Sequence, residues 1–147
     1  VRAENIWVED APRRLIDIAV GLSIYSADCP WKYNRGNPQR EAVPKEMRSP
    51  RGAWVRLPGD DLKERADKRG HVEAIQFHNI RVLDASPASV RQFIGYDDDH
   101  AVKDVTVQGL WIGGKQILSA EEGGFFVQFA KNIRFLSEEP QKPARVK

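Results

Sequence analysis

Val72-Glu73-Ala74-Ile75-Gln76-Phe77-His78-Asn79-Ile80-Arg81-Val82 returns thirty positions later as Val102-Lys103-Asp104-Val105-Thr106-Val107-Gln108-Gly109-Leu110-Trp111-Ile112, the same apolar and polar pattern in different residues. A shortened copy opens the chain as Val1-Arg2-Ala3-Glu4-Asn5-Ile6-Trp7-Val8, and another closes it as Lys131-Asn132-Ile133-Arg134-Phe135. Ile75 to Val105 is 30 positions and Val105 to Ile133 is 28, whereas Ile6 to Ile80 is 74; removing Ser26–Gly70, 45 residues, brings the long interval to 29. One insertion accounts for the irregularity. A period of 20–50 residues marks units that bury their apolar faces by stacking on one another.

Each unit is rich in Val, Ile and Phe in short alternating runs, the pattern of strands rather than helices. Ile75/Phe77, Val105/Val107 and Ile133/Phe135 are expected to point inward, with Gln76, Thr106 and Arg134 outward. After a step of two residues, Ile80/Val82 and Leu110/Ile112 point inward again. Two consecutive non-core residues break the period of two and demand a bend. Its second residue is Asn5, Asn79 or Gly109, types that tolerate left-handed backbone. A bend at the same place in each repeat stacks the strands into a solenoid whose turns pair in parallel about 4.8 Å apart. Asn5 and Asn79 would then lie over one another and share amide hydrogen bonds. Leu15–Ile24, Val90–Ile94 and Gly124–Phe129 supply further strands, giving about three to four turns.

Ser26–Gly70 carries five of the nine prolines (Pro30, Pro38, Pro44, Pro50, Pro58) and reads as a long excursion over the solenoid, with a helix-like patch at Asp60–Arg69. It also holds eleven Lys and Arg against seven Asp and Glu, so the basic character is local. The domain is expected to span residues 1–136 with this insertion at 26–70, and residues 137–147 to form a mobile tail. The net charge of +2 gives no basis for a nucleic-acid partner. No apolar run reaches the roughly 20 residues of a membrane-spanning helix, so no membrane partner is expected. Cys29 is the single cysteine, which rules out an internal disulfide. A chain beginning at Val1 inside a repeat is expected to be a processed or truncated piece.

Asn5-Ile6-Trp7-Val8-Glu9-Asp10 and Asn79-Ile80-Arg81-Val82-Leu83-Asp84, with the Phe77 strand and the Val102–Gly114 strand pair, give the chain a resemblance. It resembles the C-terminal turns of a right-handed parallel β-helix of the pectin-lyase-like kind, the fold of polygalacturonase-like glycoside hydrolases. The resemblance covers residues 1–26 and 71–136. It implies an all-β fold, a polysaccharide or oligosaccharide ligand, no cofactor, and a secreted or periplasmic parent protein. In that family aspartates act as general acid and base, with a His and basic residues nearby.

Asp97-Asp98-Asp99-His100 resembles the family's aspartate element in composition and supplies the catalytic candidates Asp97, Asp98, Asp99 and His100. The competing reading is a turn between Tyr96 and the Val102 strand, since Asp stabilises turns through bonds to its own backbone. The family's Asn-Thr-Asp, Gly-His-Gly and Arg-Ile-Lys elements are missing, which favours the turn. Glu121-Glu122 and Gly113-Gly114 also read as turns, and His71 and His78 as unrelated surface imidazoles without a metal. Trp7, Arg81 and Trp111 occupy equivalent outward positions in three turns, which would sandwich an Arg between two indoles. This column, with Trp31, Tyr33 and Trp54 of the insertion and Arg35 and Arg51 beside them, is the candidate substrate-binding set; insertion or subunit packing is the alternative use.

Two functions of different class follow. The segment is either the non-catalytic C-terminal part of a polysaccharide hydrolase, or a carbohydrate-binding or self-assembling module. Exposed solenoid ends or the aromatic column would make it a homo-oligomer.

Overall fold

The computed structural model describes residues 1–22 and 59–138. They form strands β1 (Arg2–Asp10), β2 (Arg14–Ala19), helix α1 (Gly59–Arg65) running into a 3-10 turn at Ala66–Lys68, then β3 (Val72–Asp84), β4 (Val90–Ile94), β5 (Val102–Ile112), β6 (Lys115–Ile117), β7 (Phe126–Gln128) and β8 (Ala130–Leu136). The chain is all-β in character, with its strands in two largely parallel sheets.

The first sheet takes β1, β3, β5 and β8 side by side in parallel, and the second takes β2, β4 and β7 likewise. Apart from the β5–β6 hairpin, the chain visits the two sheets alternately and each visit adds the next strand beside the last. The spacings read from the repeat are the registers observed: Ile6 pairs with Ile80, Ile75 with Val105, and Val105 with Ile133. Asn5, Asn79 and Gly109 all have positive φ, at 55°, 51° and 67°. This is the bend that the two-residue step requires, and Asn79 Nδ2 donates to Asn5 Oδ1 at 2.8 Å across it.

A second left-handed column was hidden in the sequence. Ala74, Asp104 and Asn132 have φ of 55°, 52° and 55°. They stand one residue before the paired Ile75, Val105 and Ile133, and Asn132 Nδ2 donates to Asp104 Oδ1. Asp and Asn fit the geometry, but Ala74 in the same place conceals the pattern.

Between the sheets lies one core. Ile75, Ile80, Val82, Val105, Val107 and Leu110 from the first sheet meet Ile16 and Phe93 from the second and Leu22 beyond β2, with Phe125 stacked on Phe93 at 5.2 Å between centroids. Phe77, Ile112, Ile133 and Phe135 are partly buried against it. Thr106, expected outward, is nonetheless buried: Arg134, its register partner on the next strand, donates to its Oγ1 at 3.1 Å. Gln92 is also fully buried, and its amide donates to Asp17 at 2.7 Å between β4 and β2.

The helix lies where the helix-like patch was expected. Leu62 and Ala66 pack on the core, while Arg69 donates to Gly21 O at 3.4 Å and lies 5.3 Å from the centre of the Tyr96 ring. Gly113 and Gly114, with φ of 57° and 78°, turn β5 back into β6; two consecutive left-handed residues suit a two-residue hairpin. That hairpin has a topological consequence. On one edge of β5, β8 pairs with Val102–Gln108, while β6 pairs with Leu110–Ile112, so β8 cannot run on along β5 beyond Gln108.

Candidate functional site

Tyr96 N–H donates to His100 O at 2.9 Å, which closes Asp97–His100 into a turn between β4 and β5. Asp97 Oδ1 accepts the backbone N–H groups of Asp99 at 3.0 Å and His100 at 2.7 Å, with His100 Nδ1 2.8 Å away. Burial pushes the Asp97 carboxyl up, but the hydrogen bonds from His100 and Asp99 and the nearby imidazole outweigh it, holding its pKa below the ordinary 3.8. A general acid needs the opposite shift. Lys131 Nζ fastens the turn from β8 by donating to Asp98 O at 2.8 Å, and Asp98 itself is exposed. Asp97 and His100 are therefore used by the turn, while Asp98 and Asp99 face solvent.

Gly95, just before this turn, is forced by packing. A Cβ there would stand 2.2 Å from Phe129 O and 2.7 Å from Ala101 Cα. Glu121 and Glu122 likewise belong to a turn: Glu122 N–H donates to Ser119 Oγ at 3.1 Å and its carboxylate accepts Leu118 N–H at 3.0 Å. Among the described residues no group of three His, Cys, Asp or Glu is placed to hold a metal ion, and no helix is long and apolar enough to cross a membrane.

The outer face of the first sheet is different in kind. Parallel register places Trp7 beside Arg81 and Arg81 beside Trp111. The Arg81 guanidinium lies 5.2 Å from the centre of the Trp111 ring, a distance at which cation–π attraction acts. The expected two-sided sandwich is corrected to a one-sided stack. Glu138 draws the guanidinium toward β5, both of its carboxylate oxygens accepting from Arg81 Nη2 at 2.8 Å and one from Trp111 Nε1 at 3.2 Å. Trp7 is left 62% exposed.

Beside this column runs a trough of about 250 Å³ lined by Arg2, Glu4, His78, Gln108, Gly109 and Glu138, with Asn5 and Asn79 along its floor. A second hollow of about 220 Å³ shares Asn5 and Asn79 and extends to Ile6, Trp7 and Arg81. The two form one polar surface edged by an exposed indole. His78, read from sequence as an isolated imidazole, borders it. Asn79 Oδ1 is buried there without a hydrogen-bond partner among the described residues, because the next residue in the column is Gly109 rather than a third Asn.

Register thus brings Trp7, Arg81 and Trp111 together and keeps the acidic turn out of their column. Trp31, Tyr33 and Trp54, with Arg35 and Arg51, lie outside the described residues. Arg2, Glu4, Gln108 and Glu138 escaped the sequence reading. Glu4 and Gln108 flank the bend and Arg2 stands in register with Gln76, positions that the repeat made visible, whereas no periodic signal reaches Glu138. No protein-family model, curated protein or solved structure matches the chain.

Proposed function

We propose that the two sheets are the faces of a right-handed parallel β-helix, and that the chain is a non-catalytic part of a polysaccharide-active glycoside hydrolase whose outer face binds saccharide. What supports the binding reading is the trough itself. An exposed indole offers a sugar ring an apolar face, and His78 with the Arg2–Glu4 ion pair lines the trough with polar groups that suit the hydroxyls at such a ring's edge. The alternating visits to two parallel sheets support the β-helix, since parallel crossovers are right-handed in nearly all cases. The Asp97 turn, spent on its own backbone, supports a segment without the acid and base of hydrolysis.

Calorimetric titration with a panel of plant oligosaccharides tests this, together with reducing-sugar release from the parent polysaccharides. Binding at one site, weakened about tenfold or more by Trp7→Ala, with no sugar released, is the expected result. Sugar release abolished by Asp98→Asn or Asp99→Asn would reinstate the acidic turn as an active site.

A second reading, self-assembly, is favoured by the edge of β1. Ile6 is 40% exposed, although its column mates Ile80 and Leu110 are 3% and 0% exposed. An edge strand with an open apolar column is a template for pairing. Sedimentation of the chain should then show association that Ile6→Lys suppresses; a monomer at all concentrations would end this reading.

A further inference from the structure

Glu138 follows β8 at the point where the β5–β6 hairpin blocks further pairing along β5. The chain leaves the sheet there and passes over Gly109 at van der Waals range: a Cβ at Gly109 would lie 3.4 Å from both Glu138 Cα and Cβ. The crossing drops the Glu138 carboxylate onto Arg81 and Trp111 and makes Glu138 a wall of the trough. Here a single carboxylate engages the guanidinium of the column and the indole N–H of its third member. Charge-assisted bonds of this kind are the strong ones among surface contacts.

We propose that Glu138 is a latch on the saccharide-binding face: in the closed state it occupies the Arg81 and Trp111 donors, and ligand must displace it to use them. This rests on the saccharide reading of that face and adds its regulation. The latch hangs on few contacts. Its side chain is joined to the sheet through Arg81 and Trp111, and β8, from which it springs, pairs with β5 alone among the described residues, with Leu136 41% exposed. Opening it would free the Arg81 and Trp111 donors on the surface that the two hollows share.

The test compares the full chain with Glu138→Ala and Glu138→Gln in two measurements. In ligand-free protein, the Trp111 indole N–H resonance should shift and exchange faster with solvent in both variants, because its acceptor is gone or weakened. In oligosaccharide titrations, Glu138→Ala should bind about tenfold more tightly than the unaltered chain, the gain expected when a site open about one-tenth of the time is freed. An unchanged Trp111 resonance would show that the latch does not form and overturn the proposal. A shifted resonance with equal sugar affinity would overturn the latch as a gate while leaving the binding reading intact. Binding by neither protein would sink the binding reading, and the gate with it.

Discussion

Ala74 holds a left-handed conformation at φ 55° in a column otherwise filled by Asp104 and Asn132. An L-residue with a Cβ is strained there by about 1 kcal/mol, and an asparagine side chain in its place would in addition reach toward the Asn132-to-Asp104 hydrogen bond. Ala74→Asn and Ala74→Gly should therefore both raise stability, by about 1 kcal/mol in urea unfolding, with Asn at least equal to Gly; a loss in both would contradict the column. Asp97 gives a pH prediction. Its carboxyl titrates lower in the folded chain than in the unfolded one, so it contributes stability that is full above pH 3.8 and is lost as pH falls through the folded value. Acid titration of the unaltered chain should show this loss, and Asp97→Asn should lack it and be less stable at neutral pH. The Asn5/Asn79/Gly109 bend was legible because Asn and Gly advertise left-handed backbone. The Ala74 bend was not, because alanine carries no such signal and only the stacking of its neighbours imposes the geometry.

At the scale of the element, a strand's burial depends on having a neighbour on each side. Ile6, Ile80 and Leu110 form one column, yet only the residues flanked by two strands are sealed. Leu110→Ala should cost about 2–5 kcal/mol, the range for truncating a buried leucine. Ile6→Ala, in the same column, should cost well under half of that. Equal costs, measured by denaturant unfolding, would mean that the edge of β1 is covered in solution. Strand identity, register and the Gly113-Gly114 turn were readable from period and residue type. The burial of Thr106 was not legible for a local reason: alternation assigns a face, but a long neighbour such as Arg134 can close over a short side chain on that face. The deflection of Glu138 follows from β6 competing with β8 for one edge of β5, a competition between segments far apart in sequence.

For the molecule as a whole, parallel stacking decides which single side chains come together on the surface. A residue repeated at one position becomes a ladder across the sheet, and the ladder through Trp7, Arg81 and Trp111 is the surface to which the proposed binding is assigned. The acidic run, the most conspicuous chemistry in the sequence, is absorbed by its turn because Asp97 satisfies three groups of its own loop. The most direct measurement is a titration of the full chain with oligosaccharide, followed at the indole N–H resonances of its four tryptophans. Trp7 and Trp111 should shift together and saturate at one affinity, with the amides of Asp97–His100 unmoved. Shifts confined to Trp31 and Trp54, or centred on the acidic turn, would contradict the assignment of binding to the outer ladder.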